Sequence, residues 1–197
     1  MSEIQVTKRD GTKDKLDLEK LHKVVFHACE GINSVSASEV EIKSHLQFYN
    51  GITSSEIQET LIKSAADLIT EDTPNYQWVA GRLIVYHLRK MVYGQYDPWP
   101  LIDIVKHNTD SGFYDSELIT NYSESEWQEL EDHIKHDRDD TFTYVGMEQF
   151  RGKYLVQDRR TKTLFESPQI LYMLVAATLF SGYPKETRLK WVKDYYD

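Results

Sequence analysis

The alternation of apolar and polar residues predicts a β-hairpin at the start of the chain. Residues 4–8 place Ile4 and Val6 on one side and polar residues on the other, as in a strand with one buried face. Asp10-Gly11 follows and is typical of a hairpin turn, because glycine adopts positive φ without a steric cost. We therefore expect a return strand over residues 13–16.

Two helices are predicted after the hairpin, because apolar residues then recur every three to four positions. Asp17 is a suitable N-cap for the first helix, which should run to residue 30 and end at Gly31. Ser36 and Glu39 have the spacing of a capping box. We expect them to start a second helix that continues through Phe48.

Two more helices complete this region. Ser54 or Ser55 should cap the third helix, which covers about residues 56–70. Pro74 is suited to the first position of the fourth helix, which should stop at Gly94.

Pro98 and Pro100 mark the end of this region, because proline interrupts helices. The fold class predicted is mainly α, with residues 1–95 forming a hairpin plus a four-helix bundle and residues 96–197 forming a helical region with one further β-hairpin. The expected elements of that region are helices at 101–108, 115–121, 124–136, 142–151, 168–181 and 184–196, and a hairpin at 153–166.

Composition narrows the class of protein. Apolar residues make up 40% of the 197 residues, enough for a buried core. The net charge of −9 disfavours binding to nucleic acid or to a membrane surface. The N-terminus lacks an apolar signal run, and the longest apolar run, 170–180, is too short to span a bilayer. Cys29 is the single cysteine and has apolar neighbours at helical spacing, so we expect a core residue and a cytoplasmic protein.

Candidate chemistry is concentrated at the hairpin. Lys8 and Arg9 end the first strand, and Lys20 lies in the first turn of the next helix. A triphosphate needs converging cations and backbone N–H donors, and a hairpin end beside a helix N-terminus supplies both. Ordinary solvated surface charges are the alternative interpretation. Lys90, at the end of the fourth helix, is either a further phosphate contact or a lysine that complements the helix C-terminus.

Two other groups of residues allow a functional and a structural interpretation. His133, His136, Asp137 and Asp139 could ligate a metal, but a helix end of mixed charge is the commoner explanation, so we predict no metal site. The last helix carries several large apolar side chains that either pack onto their own domain or are covered by another chain; these are Trp191, Val192, Tyr195 and Tyr196.

An ordered series of motifs resembles the N-terminal part of the class I (aerobic) ribonucleotide reductase large subunit of bacterial and phage type, which consists of an ATP-cone and a helical region. The similarity extends over nearly the whole chain. Its motifs are Val6-x-Lys-Arg-x-Gly11, Asp17 to Lys20, Gly51 to Ser54, His87 to Lys90, Tyr93 to Tyr96, His136 to Asp139, Gly152 to Gln157 and Tyr183 to Arg188.

The resemblance implies that the cone binds ATP or dATP, with or without Mg²⁺, as an effector of overall activity. Lys8, Arg9 and Lys90 would then bind phosphates, Lys20 a phosphate, and Asp17 the base or ribose. Asp17 and Gln58 depart from the Asn and His that are frequent in the family, which bears on how the cone distinguishes dATP from ATP. The full set of implied contacts is Lys8, Arg9, Gly11, Asp14, Lys15, Leu16, Asp17, Leu18, Glu19, Lys20, Ser54, Gln58 and Lys90.

Catalysis by this chain alone is not expected. Ribonucleotide reduction requires a thiyl radical and a reducing dithiol, whereas the chain has one cysteine, which matches none of the family's catalytic cysteines. The resemblance implies three partners: the remainder of the large subunit with its catalytic barrel, the small radical-generating subunit, and further copies in an oligomer. The chain would be a natural split product or a truncation, in the bacterial host cell if phage-encoded.

Two alternatives stay open at this point. One is a free-standing ATP-cone that senses nucleotides and regulates another protein. The other is a helical scaffold with a lost nucleotide site.

Overall fold

A computed structural model describes residues 4–197. The prediction that the chain does not begin with an apolar signal run partly concerns residues 1–3, which lie outside the described residues. The mainly α fold is confirmed. The elements are β1 Gln5–Thr7, β2 Lys13–Lys15, α1 Leu18–Cys29, α2 Ala37–His45, α3 Ser54–Ala66, α4 Tyr76–Tyr93, α5 Leu101–Asp110, α6 Glu117–Asn121, α7 Glu124–Glu131, a 3₁₀ helix His136–Thr141, α8 Tyr144–Gln149, a π-helical turn Phe150–Tyr154, α9 Pro168–Phe180 and α10 Lys185–Tyr196.

The chain forms two compact units. The first contains the residues up to His87 together with Asp140–Glu148, and the second contains Leu88–Asp139 and Gln149–Asp197. Each is described separately below. The division at residue 95 that the sequence suggested stays a prediction.

The N-terminal hairpin forms at the predicted turn. β1 and β2 are antiparallel, with Val6 opposite Asp14. The N–H of Lys8 donates to the carbonyl of Thr12 at 2.8 Å, and Gly11 has a φ of +82°, which explains the requirement for glycine. The N–H of Thr7 also donates to the carbonyl of Ile52 at 2.9 Å, so the hairpin is joined to the segment that leads into α3.

The cap of α1 is confirmed, but that of α3 differs from the prediction. Asp17 accepts the N–H of Lys20 at 3.0 Å. For α3 the N-cap is Thr53, not Ser54 or Ser55, and Thr53 and Glu56 form a reciprocal capping box. Thr53 Oγ1 accepts the Glu56 N–H at 3.1 Å, and a Glu56 carboxylate oxygen accepts the Thr53 N–H at 2.8 Å.

The capping box predicted at Ser36 and Glu39 is wrong. The Ser36 side chain makes no capping bond to the described backbone, and the Glu39 carboxylate instead accepts the hydroxyl of Tyr76 from α4. The same hydroxyl accepts the Ser36 N–H at 2.9 Å. Tyr76, which is distant in the sequence, therefore makes the hydrogen bonds that Ser36 and Glu39 were expected to make with each other. α2 also ends at His45, before the expected Phe48.

α4 is the central helix of the first unit. Its residues Val79, Ala80, Leu83 and Ile84 are fully buried. A Cβ at Gly81 would lie 2.2 Å from the carbonyl oxygen of Phe142, so only glycine permits this approach.

The second unit has its own apolar core, formed mainly by α5, α7, α9 and α10. The Tyr122 hydroxyl donates to the Ala177 carbonyl at 2.6 Å, and the Arg188 guanidinium pairs with Glu126 at 2.6 Å. Val192 and Tyr196 are buried in this core, whereas Trp191 and Tyr195 are exposed. The last helix therefore packs onto its own unit with one face and leaves two aromatic side chains outside.

Three elements of this part differ from their predicted form. The helix expected over 124–136 ends at Glu131. The helix expected over 142–151 continues as a π-helical turn to Tyr154. The hairpin expected over 153–166 is reduced to an isolated antiparallel bridge between Gln157 and Leu164.

Two of the candidate metal ligands, Asp139 and His133, have structural partners. Asp139 is fully buried and accepts from the Arg89 guanidinium at 2.8 Å, while His133 Nε2 lies 3.0 Å from Asp197. Burial lowers the pKa of His136 to about 4, with a contribution from the nearby charge of Arg89.

Among the described residues, none of the helices combines the length and the apolar content that crossing a lipid bilayer requires.

Candidate functional site

A cavity of about 210 Å³ in the first unit brings together many of the predicted nucleotide contacts. The hairpin, α1, α3 and α4 each contribute to its wall. Its predicted members are Lys8, Asp14, Lys15, Leu16, Asp17, Lys20, Ser54 and Gln58, and its other members are Val6, Leu21, Val24, Ile57 and Tyr86.

Ion pairs hold two of the three lysines that line this cavity. Lys8 Nζ lies 2.5 Å from Asp14 Oδ2, and Lys20 Nζ lies 3.3 Å from Asp17 Oδ2. The hydrogen bond to Asp14 raises the pKa of Lys8, and its counterpart lowers the pKa of Asp14. The backbone N–H of Lys20 lowers the pKa of Asp17. Both lysines therefore already face a carboxylate.

The local charge of the cavity contrasts with that of the chain. Three lysines and two aspartates line it, so its wall is slightly positive although the whole chain carries −9. The positive wall attracts an anion locally, although the rest of the surface repels anions at long range.

α3 contributes the uncharged polar groups. Ser54 and Gln58 are one helical turn apart and thus on the same face. The Oε1 atom of Gln58 is buried and has no hydrogen-bond partner among residues 4–197. A buried acceptor without a partner is costly to a protein, so this atom is the strongest structural indication that the cavity receives a hydrogen-bond donor.

Apolar and aromatic side chains form the remaining wall. Val6 is buried in β1, Leu21 in α1 and Ile57 in α3. Burial raises the pKa of Tyr86 from α4, and the charge of Arg9 acts in the opposite direction. Arg9 is therefore electrostatically coupled to the phenol that lines the cavity.

Sequence reasoning missed this wall for two different reasons. Leu21 and Val24 belong to the apolar stripe of α1, and that spacing indicates core packing alone. Tyr86 had no local signal, because its position depends on how α4 packs against the other elements of the first unit.

Five predicted contacts are not among the described residues that line this cavity: Arg9, Gly11, Leu18, Glu19 and Lys90. Leu18 and Glu19 line a separate groove between α1 and α2, with His22, Lys23, Glu41 and His45. Gly11 forms the hairpin turn. Lys90 belongs to the second unit, and its role as a phosphate contact stays a prediction.

The hairpin and four helices of the first unit, with their cation-bearing cavity, correspond to a known domain class. Residues 4–91 match the ATP cone domain, and residues 140–197 match the ribonucleotide reductase all-alpha domain.

Relatives extend the similarity across the chain. The ribonucleoside-diphosphate reductase 1 subunit alpha of Escherichia coli is 52% identical over 192 residues, which are 98% of this chain and 25% of the relative. The corresponding subunit of Enterobacteria phage T4 is 41% identical over 100% of this chain and 26% of the relative. The chain thus spans about a quarter of the length of the curated relatives that it matches.

The first unit accordingly corresponds to an ATP-cone domain. The same chain also contains an all-alpha domain. Over nearly its whole length the chain is similar to the N-terminal part of class I ribonucleoside-diphosphate reductase alpha subunits, as the sequence motifs predicted.

Proposed function

We propose that the cavity of the first unit binds ATP or dATP, and that the chain is the nucleotide-sensing part of a ribonucleotide reductase large subunit. The observation that carries the proposal is the convergence of Lys8, Lys20 and Gln58 on one cavity. The Oε1 atom of Gln58 has no hydrogen-bond partner in the described part of the chain. The cations are complementary to a triphosphate. The unsatisfied acceptor is complementary to a base or sugar that donates hydrogen bonds.

The phosphates would exchange partners with the aspartates. Lys8 and Lys20 are exposed enough to rotate, because their ion pairs lie at the surface. Exposed pairs contribute little stability, whereas a triphosphate offers several oxygens to the same ammonium groups. Mg²⁺ would enter with the phosphates, and Asp14 and Asp17 are the carboxylates that line the cavity and could share it.

The nucleoside would occupy the side formed by α3 and α4. Gln58 Oε1 would accept a hydrogen bond from a base amino group or a ribose hydroxyl, and the ring of Tyr86 would provide an apolar contact. Pockets for small ligands usually measure about 300–1,000 Å³, and this cavity measures about 210 Å³. The triphosphate would therefore extend beyond it, toward the exposed part of the hairpin where Arg9 and Gly11 lie.

The remaining predicted contacts complete the proposal. Leu18, Glu19 and Lys90 stay proposed contacts of the bound nucleotide, on the strength of the family resemblance. The effector would keep the reductase active as ATP and inhibit it as dATP, with the 2′-hydroxyl of ribose as the chemical difference that the site must detect.

We propose that reduction itself takes place outside this chain. Cys29 is its single cysteine, and burial raises the pKa of that thiol to about 11, so the reactive thiolate is scarce at neutral pH. The catalytic thiols would belong to the remainder of the large subunit and the radical to the small subunit, with all three chains in an oligomer. A free-standing cone is less well supported, because relatives align beyond the cone over 98% of the chain.

Calorimetric titration of the chain with ATP and with dATP tests the proposal. We expect saturable binding of both, and at least a tenfold loss of affinity in the Lys8→Ala/Lys20→Ala variant, because it loses two ammonium groups that would make charge-assisted hydrogen bonds to the phosphates. Lys63→Ala removes an exposed lysine of α3 that does not line the cavity and should bind as the parent does. Absence of binding at millimolar ATP would refute the proposal and favour a scaffold.

A further inference from the structure

α9 of the second unit is apolar around its whole circumference, with the sequence PQILYMLVAATLF. A helix of this kind is normally buried on all sides. In this unit one side is open: Tyr172, Val175 and Leu179 are 42%, 41% and 55% exposed. These positions share one face of the helix by their spacing, and their composition suits an interior.

A cavity of about 370 Å³ adjoins this face. α6 contributes Leu118 to its wall, α9 contributes Leu174 and Leu179, and Phe113 lies between α5 and α6. The exposed stripe of α9 therefore continues into a hollow that is wide enough for one or two large side chains.

The polar groups inside the hollow are already satisfied. Glu166 is buried, and it accepts the N–H of Val156 at 2.9 Å and the hydroxyl of Tyr114. Burial raises the pKa of Glu166. Because both oxygens of Glu166 already accept hydrogen bonds, this carboxyl does not require a polar ligand. The hollow therefore suits an apolar occupant.

The rim has a different character. Asp115 and Glu117 are exposed on one side, and Asn121, Thr178 and Ser181 complete the edge. An apolar centre with a polar rim is the usual anatomy of a protein–protein interface. The acidic side of the rim favours an occupant that carries basic residues beside its apolar anchor.

The identity of the occupant follows from the relatives. In the Escherichia coli relative this chain corresponds to 25% of the length, so three quarters of that subunit lie outside the matched part and are available to cover the equivalent of α9. The all-alpha domain match includes this helix. We propose that the α9 groove, defined as Tyr172, Val175, Leu179 and the adjoining hollow, receives an apolar anchor with basic neighbours from the remaining part of the large subunit. The inference rests on the proposed function, since it names the partner that completes the reductase.

Cysteine footprinting tests the groove. Leu179→Cys would be placed both in this chain and in a chimera in which the chain replaces the N-terminal quarter of the Escherichia coli alpha subunit. Peptide mass spectrometry then follows alkylation of that position by N-ethylmaleimide. We expect rapid labelling in the chain alone and at least tenfold slower labelling in the chimera. Leu46→Cys, an exposed apolar position of the cone, should be labelled rapidly in both.

Two results would overturn the inference. Equal labelling of Leu179→Cys in the chain and in the chimera would show that the remaining subunit does not cover the groove. Protection that already develops in the chain alone as its concentration rises would identify a second copy as the occupant. ATP titration of the same Leu179→Cys chain reports on the cone independently, so failure of nucleotide binding and failure of docking can be told apart.

Discussion

Lys8 Nζ lies 2.5 Å from Asp14 Oδ2, across the hairpin. Asp14 also accepts the N–H of Lys15 at 2.9 Å, so its carboxylate is oriented by two donors. The pair is about half exposed, at 48% and 55%. The ion pair therefore contributes little to stability. It mainly affects ligand affinity, because the Asp14 carboxylate competes with any phosphate for the ammonium group of Lys8.

Asp14→Asn should strengthen binding of ATP when Mg²⁺ is left out, so that Asp14 has no metal ion to share. The substitution keeps an acceptor for the N–H of Lys15 but removes the competing charge, and we expect about two- to fivefold tighter binding, since exposed charge interactions are weak. Calorimetry at low and at high salt measures the effect, which should shrink as salt screens the charges. Weaker binding would mean that the carboxylate itself contacts the nucleotide.

Gln58→Leu should raise stability while it weakens nucleotide binding. Leucine fills a similar volume but removes the buried Oε1 that has no partner among the described residues. We expect the free energy of unfolding to rise by about 1 kcal/mol and ATP affinity to fall about five- to tenfold. Urea unfolding and calorimetry measure the two quantities. Unchanged ATP affinity would exclude Gln58 from the site.

Gly81→Ala should destabilise the first unit severely. The new Cβ would lie 2.2 Å from the Phe142 carbonyl oxygen, so α4 and the segment around Phe142 would have to separate, at a cost of about 3 kcal/mol. Gly146→Ala is the matched control, because its Cβ would meet its nearest neighbour, Thr143 Oγ1, at an ordinary 3.5 Å. Equal thermal midpoints for the two variants would contradict the close approach.

The second unit should lose stability in mild acid through His136. Burial lowers the pKa of this imidazole from its ordinary 6.5 to about 4, so the unfolded chain takes up the proton first as the pH falls. The stabilisation is complete above pH 6.5 and is lost progressively between pH 6.5 and 4. We expect a loss of about 2 kcal/mol across this window, allowing for partial solvation.

His136→Gln provides the comparison for this effect. The variant cannot take up a proton at this position, so its free energy of unfolding should vary less between pH 6.5 and 4 than that of the parent. Denaturant titrations at several pH values measure the difference. Identical pH profiles would place the acid sensitivity elsewhere.

The local part of the fold could be predicted from the sequence. The Asp10-Gly11 turn and the Asp17 cap depend on residues that are adjacent or three apart, and both form as expected. At α3 the sequence offers Thr53, Ser54 and Ser55 in succession, and all three side chains are capable caps. Glu56 decides between them, because the reciprocal bond is at its best spacing from Thr53.

The long-range part could not be predicted. Glu39 accepts a hydrogen bond from Tyr76, which is 37 positions away, and local sequence patterns do not predict that partner. Tyr86 reaches the candidate site for the same reason. The predicted lysines and aspartates lie together because the hairpin leads directly into α1, whereas the pairing of each lysine with an aspartate depends on side-chain conformations that the motif does not specify.

An NMR titration of the isotopically labelled chain with ATP is the most direct test of the nucleotide site. Amide and side-chain signals of Lys8, Lys20, Ser54 and the Gln58 amide group should shift together with a single saturation curve, and signals of α9 and α10 should stay unchanged. Shifts that cluster away from these residues, or no saturable shifts at millimolar ATP, would contradict the account.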